Sequence, residues 1–463
     1  MGRLACRPPL ALTPTPLSVT KGSSNRVIDD HFVTLSGVGA GEGVGWSRQG
    51  VWETRTMTST VRQSDKLRDV LYDIRGPVSA RAAQLEAEGH RILKLNLGNP
   101  QPFGFDAPSE ILQDVIAGLP GAAGYSDSRG IQSARRAVVH HYQLQDGFPA
   151  IDIDDVWIGN GVSELIQIAL QALLDNGDEV LIPVPDYPLW TAVTNLAGGT
   201  PVHYRCDEGN DWNPDLEHLE SQITDRTKVL VVINPNNPTG AVYSRETLQG
   251  LVDLARKHDL VLMADEIYDK ILYDDATHIP LASLAPDVLT LTFNGLSKAY
   301  RVCGYRAGWL VVTGPLESAR DYLEGITLLC SMRLCPNVPA QNAIQVALGG
   351  YQSIKELILP GGRLLEQRDT AVAELRKIPG VSVVVPKGAL YAFPRLDPEV
   401  HPIKDDQQLV LDLLLSEKIL LTQGTGFNWP DPDHLRIVTL PWARDLAEAI
   451  QRLGNFLSSY QQV

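Results

Sequence analysis

Between residues 155 and 295 the apolar positions bunch instead of alternating. DVWI, EVLIPV, KVLVVI, LVLMA and VLTLTF are apolar runs of strand length, each followed by Gly, Pro, Asn or Asp. A strand with one wet face alternates, whereas a strand buried on both faces of a parallel sheet has no polar side to show. SELIQIALQALLDNG reads as a capped helix ending at Gly177, and ETLQGLVDLARKH as a second amphipathic helix. Strands and helices in turn predict an α/β fold, a mostly parallel sheet with helices on both faces.

The pattern changes on either side. Upstream, SDKLRDVLYDIRGPVSARAAQLEAEG reads as a helix interrupted near Gly76-Pro77, its second half Val78 to Glu88 stopping at Gly89. RILKLNLGNP reads as a short strand and a turn. Downstream, a long helical stretch from AQNAIQVALGG past PGGRLLEQRDTAVAELRKI precedes VSVVVPKGALYAFPRL, the helix DQQLVLDLLLSEK, the strand LRIVTL and a terminal helix. This order predicts a smaller α+β domain, joined in space by the N-terminal helix. The expected division is an extension at 1–56, an arm at 57–100, a large domain at 101–345 and a small domain at 346–463.

The extension is Pro/Ser/Thr-rich and then Gly-rich, without periodicity, so disorder is expected there. It lacks a continuous apolar h-region, and reads as an upstream extension with Met57 as a natural start rather than a targeting peptide. Its GVGAGEGVG follows no strand and fails G-x-G-x-x-G, so it is no dinucleotide fingerprint.

Composition narrows the function classes. The formal charge of −15, from 40 basic and 55 acidic residues, argues against a nucleic-acid surface. No apolar run approaches the ~18–20 residues of a membrane span. Five scattered cysteines suggest free thiols in a reducing compartment, hence the cytoplasm, and they lack the spacing of a metal site.

In a parallel α/β sheet, ligands bind outside the carboxyl ends of the strands. After DVWI comes GNGVSE, small residues that let backbone N–H groups and the Ser163 hydroxyl face an anion. After KVLVVI comes NPNNPTG, after LVLMA come Asp265, Glu266 and Tyr268, and after VLTLTF comes NGLSK with Lys298. Each item is ordinary alone: a surface lysine, an asparagine holding its turn, an arginine in a surface ion pair. Asp265-Glu266 resembles the metal-binding acid of a P-loop ATPase, but the chain has no G-x-x-x-x-G-K-[ST]. A pyridine aldehyde phosphate accounts for the set together, since it needs an amine, an acid for its ring nitrogen, and donors for its phenolate and phosphate.

The order NPNNPTG, ADEIY, then K-x₅-G-x-R-x-G at 298–308 resembles the fold-type I pyridoxal-phosphate aminotransferases, over about residues 64–460. The resemblance implies a large cofactor-binding domain and a smaller α+β domain, with pyridoxal 5′-phosphate as cofactor. It implies that Lys298 is the Schiff-base lysine and that Asp265 keeps the pyridine nitrogen protonated. Tyr268 and Asn237 would bond the ring oxygen. Arg306, Ser297, Ser163 and the backbone near Val162 would hold the phosphate, and Tyr187 of PDYPLW would stack on the ring. Tyr125 of GYSDSRG resembles the tyrosine that reaches the phosphate of the neighbouring subunit, implying a homodimer with shared active sites. Arg436 of LRIVTL resembles the arginine gripping the substrate α-carboxylate, with Gly98 adding a backbone contact. Gly295 departs from members that have a hydroxyl residue on the phosphate at this place.

YDIRGP, LGNPQPFGFD, NPNNPTGAVYS, SMRLCPNVPAQ and GTGFNWPDPDHLRIVTL resemble the alanine (glutamate–pyruvate) branch. This implies alanine and 2-oxoglutarate as substrates, exchanged by ping-pong kinetics. Arg75 is a candidate for the distal carboxylate of glutamate, with Tyr72 closing the same side; alternatively, DIRGP merely anchors its helix. Glu266 is read as structural. Rival readings are another small apolar donor such as valine, and a C–S lyase releasing pyruvate and ammonia. A regulator with an aminotransferase-like domain is disfavoured by the unhelical first 56 residues.

Overall fold

A computed structural model describes residues 62–68, 70 and 76–462. The 1–56 extension, Tyr72 and Arg75 lie outside the described residues.

An eight-stranded sheet organises the larger part. In chain order the strands are β1 (Leu93–Lys94), β2 (Val156–Gly159), β3 (Glu179–Val184), β4 (Thr200–Asp207), β5 (Asn213–Pro214), β6 (Thr227–Ile233), β7 (Val261–Asp265), β8 (Thr290–Gly295) and β9 (Gly308–Thr313). The sheet order is β2-β9-β8-β7-β6-β3-β4-β5, and β1 lies apart. The pairs β8–β7, β7–β6, β6–β3 and β3–β4 are parallel. The pairs β2–β9, β9–β8 and β4–β5 are antiparallel.

Three strands of this sheet were not predicted: the two-residue β5, β4 and β9. β4 is half-exposed and polar in part, TPVHYRCD, so it lacks the continuous apolar signal. β9 lies directly behind the lysine–arginine segment, and it inserts antiparallel between β2 and β8. Consequently β2 still runs in the direction of β8, and its carboxyl end opens on the same edge as those of β3, β6, β7 and β8. Arg306 precedes β9, and the reversed direction of that strand brings it to this edge too.

Two local readings are corrected. The helix after β2 is Val162–Leu173, with Gly161 as N-cap and no side-chain cap, so Ser163 lies inside the first turn and does not start it, and the helix stops at Leu173, where Leu174 turns extended, short of Gly177. The long stretch after Pro339 is three helices, Val338–Gly349, Ile354–Ile358 and Arg363–Leu375, interrupted at glycines. Upstream, the helix spans Pro77–Ala87, with Gly76 as N-cap and proline at the first turn, where its missing N–H costs nothing.

Apolar clusters occupy both faces of the sheet. One includes Leu181, Leu230 and Leu262, and another Val180, Val229 and Met263, neighbours that point to opposite sides of β3, β6 and β7. A separate cluster joins Val78, Ala82 and Leu85 of the first helix to Leu409, Leu413, Ile437 and Leu446. β1 pairs parallel with Ile419–Leu420, so the segment from Pro77 to Lys94 meets the C-terminal stretch of the chain through a strand as well as a helix. Among the described residues no helix is long and apolar enough to cross a membrane.

Candidate active site

Eleven residues picked from sequence line one cavity of about 450 Å³: Gly98, Val162, Ser163, Tyr187, Asn237, Asp265, Tyr268, Ser297, Lys298, Arg306 and Arg436. Tyr125 does not line it and is 82% exposed. Tyr72 and Arg75 are outside the described residues.

Lys298 follows β8 and is half-buried. Its Nζ donates to the Gly98 carbonyl at 2.8 Å and stands 5.7 Å from the Tyr268 ring centroid. Asp265, the last residue of β7, is 3% exposed. Burial pushes its carboxyl up to about 6, against the Ile267 N–H at 3.3 Å, the Trp190 indole N–H at 3.4 Å and the Lys298 charge. The Tyr268 phenol is held well above its ordinary value by burial and by Tyr391.

Other groups of the lining have the chemistry to hold an anion. The first helical turn presents Val162 and Ser163, the positive end of the helix dipole. Arg306 sits with a left-handed backbone, φ 57°, and its guanidinium donates to the Cys303 carbonyl at 2.8 Å and the Asn160 carbonyl at 3.2 Å. Gly161 has φ 85°, and a Cβ there would stand 2.2 Å from Arg306 Nη2. The arginine therefore packs against bare backbone, leaving the rest of its fork for a ligand.

Gly295 now has a physical reason. Gly159, Gly308 and Gly295 stand in register across β2, β9 and β8. A Cβ on Gly295 would meet the Ala307 carbonyl oxygen at 2.8 Å and Gly308 Cα at 2.9 Å. A hydroxyl side chain has no room there, which leaves Ser297, Ser163 and Arg306 as the candidate anion donors of the lining.

Arg436 is 2% exposed. It donates to Asn237 Oδ1 at 3.2 Å and to the Asn96 carbonyl, and its Cζ lies 4.6 Å from the Tyr391 ring and 4.5 Å from the Phe427 ring. Two rings and two hydrogen-bond acceptors hold the guanidinium in one orientation in the cavity lining. Glu266, read as structural, accepts from Leu281 N–H at 2.9 Å and does not line the cavity.

Sequence reasoning missed Tyr391, Cys303, Asn99 and the Asp265 donor Trp190. Trp190 sits three residues beyond Tyr187, a helical spacing that placed it near the site. Tyr391 carried no signal, since its contact with Tyr268 spans 123 residues.

The donor set fits a pyridine aldehyde phosphate: an amine, a buried carboxyl for the ring nitrogen, a phenol and amide for the ring oxygen, and the Arg306–Ser297–Ser163 cradle for a phosphate.

Comparison with known proteins agrees. Residues 91–453 match the family described as aminotransferase class I and II. The alanine aminotransferase of Mycobacterium tuberculosis is 75% identical over 400 residues, covering 86% of this chain and 93% of that protein. The glutamate-pyruvate aminotransferase AlaA of Escherichia coli is 60% identical over 405 residues, covering 88% of this chain and 100% of that protein. The crystal structure of an aminotransferase from Escherichia coli superposes with a TM-score of 0.86 at 60% identity, covering 88% of this chain and 100% of that one.

Proposed function

This chain belongs to the class I and II aminotransferases, and from that premise we propose that it moves the amino group between L-alanine and 2-oxoglutarate, giving pyruvate and L-glutamate. The observation that carries the reading is one cavity holding an amine at Lys298, a buried acid at Asp265, and two guanidinium groups, Arg306 and Arg436. The 60–75% identity to alanine and glutamate–pyruvate aminotransferases supports the choice of substrates.

Pyridoxal 5′-phosphate, when bound, supplies a carbonyl carbon that exchanges amino groups and a ring that takes up electrons from the substrate Cα. Arg306, Ser297, Ser163 and the Val162 backbone would hold its phosphate. Asp265 would stabilise positive charge at the ring nitrogen, its carboxylate favoured by that charge against the burial that opposes it. Tyr187 would cover one ring face, and Asn237 and Tyr268 would bond the ring oxygen.

Arg436 grips the substrate α-carboxylate and Gly98 offers a backbone contact. This fixes which bond to Cα stands ready to break. Lys298 Nζ would take the proton from the substrate Cα and hand it back on the cofactor side. The second oxo acid retraces these steps, so kinetics are ping-pong. Arg75 is assigned the distal carboxylate of glutamate, and Tyr72 the closing of the same side.

We extend the reading to the assembly. Tyr125 is 82% exposed, and Leu112, Ile116 and Leu119 of the preceding segment are 44–57% exposed. A second copy covering them would make a homodimer in which Tyr125 serves the partner's phosphate cradle. The few scattered cysteines support a cytoplasmic enzyme.

The test is the visible spectrum of the holoenzyme with L-alanine alone, then with 2-oxoglutarate. Bleaching by alanine and recovery with the oxo acid are expected. Release of pyruvate and ammonia without an acceptor would replace the reading with a lyase. A response to valine but not to alanine would change the donor.

A further inference from the structure

Asp186 follows β3, is fully buried and does not line the cavity. Its donors are all neutral. Asn428 Nδ2 donates to Oδ1 at 2.7 Å, and the Thr191 hydroxyl donates to Oδ2 at 3.1 Å. Asn428 also reaches Thr191 Oγ1 at 3.1 Å, and the Asp186 N–H donates to the Phe427 carbonyl at 3.0 Å. Main chain and side chain of one residue thus both fasten the Phe427–Asn428 turn, 242 residues away. Asn428 is left-handed, φ 59°, which turns its amide back toward Asp186.

Burying a carboxyl among neutral donors is costly, and burial pushes this one up to about 7. An apolar residue would avoid the cost, so the group is kept for what it holds. Phe427 stacks 4.5 Å from Arg436. Tyr187 is next in the chain and lines the cavity, and Trp190, next to Thr191, donates to Asp265. Asp186 therefore ties the wall that carries Tyr187 and Trp190 to the loop that steadies Arg436.

We propose that Asp186 is a positioning residue, clamping the 424–429 loop so that Phe427 keeps Arg436 aimed at the substrate carboxylate. The proposal deepens the transaminase reading above and rests on it. Because Arg436 serves donor and acceptor alike, loosening the clamp weakens binding of both, with little effect on proton transfer at Lys298.

The experiment compares the holoenzyme with Asp186→Ala, Asn428→Gly, the double variant, and Asp186→Asn, which keeps an acceptor. Glycine at 428 preserves the left-handed turn and removes only the amide. The expected result is KM up about 10-fold for both L-alanine and 2-oxoglutarate, with kcat within about 2-fold, in Asp186→Ala and in Asn428→Gly. The double variant should be no worse than the singles, since each breaks the same link. Asp186→Asn should recover to within about 3-fold of wild type. Amide hydrogen exchange on the same holoproteins should quicken over 424–429 in Asp186→Ala and spread into 435–438. Unchanged exchange there, additive losses, or a fall in kcat at constant KM would each overturn the clamp. Should the wild type transfer no amino group, the transaminase reading fails by itself, and the exchange data still decide whether Asp186 holds the loop.

Discussion

The hydroxyls of Tyr268 and Tyr391 lie 2.7 Å apart, both buried, in a T-shaped pair with ring centroids 5.8 Å apart. Tyr391 also faces Arg436, and a Cβ on Gly98 would strike its hydroxyl at 2.2 Å. One phenol thus touches the tyrosine assigned to the cofactor, the arginine assigned to the substrate, and the backbone that accepts from Lys298. Tyr391→Phe keeps the ring and removes one hydrogen bond of about 1 kcal/mol. The expected outcome is a drop of about 5-fold in kcat/KM at unchanged fold. On a Tyr268→Phe background the same change should do nothing further, because the bond is already gone. Steady-state kinetics of the four proteins check this.

Gly161 can be tested against an internal control. Gly161→Ala forces alanine into φ 85°, ψ 167°, a region held almost only by glycine, at about 1–3 kcal/mol, and drives a methyl into Arg306. Gly177→Ala also places alanine at a positive φ, 92°, but with nothing within 4 Å. Both should lower Tm. Only Gly161→Ala should weaken pyridoxal phosphate binding, by about 10-fold or more, in a cofactor titration.

Stability of the cofactor-free protein should fall as pH rises. Burial pushes Glu266 up to about 8 and Asp265 up to about 6. A carboxyl raised above its unfolded pKa of about 4 holds more protons folded than unfolded, so its contribution is lost as pH climbs through the folded value. Glu266→Gln keeps an acceptor for Leu281 N–H and removes one such group. Its Tm should decline less than wild type between about pH 5 and 8.5. Parallel curves would mean that Glu266 does not titrate there.

Arg75→Ala should impair the glutamate half-reaction about 10-fold more than the alanine half-reaction, since only glutamate has a second carboxylate. Single-turnover rates with each amino acid measure the difference. Equal losses would return Arg75 to anchoring its helix.

Sequence by itself determined the strands whose ends carry chemistry. β2, β3, β6, β7 and β8 are buried on both faces, so burial wrote each as a continuous apolar run, and Ser163, Tyr187, Asn237, Asp265 and Lys298 follow within a few residues. Such short-range links survive any uncertainty about how the strands assemble. Only tertiary structure decided the rest. β9 had no helix-connected partner to announce it, yet its antiparallel insertion brings Arg306 to the cavity edge and leaves room only for glycine at 295. Tyr391 and Asp186 act through contacts spanning 123 and 242 residues. A side chain whose partner is that distant leaves no periodic trace, because its position depends on packing between elements and not on its neighbours in the chain.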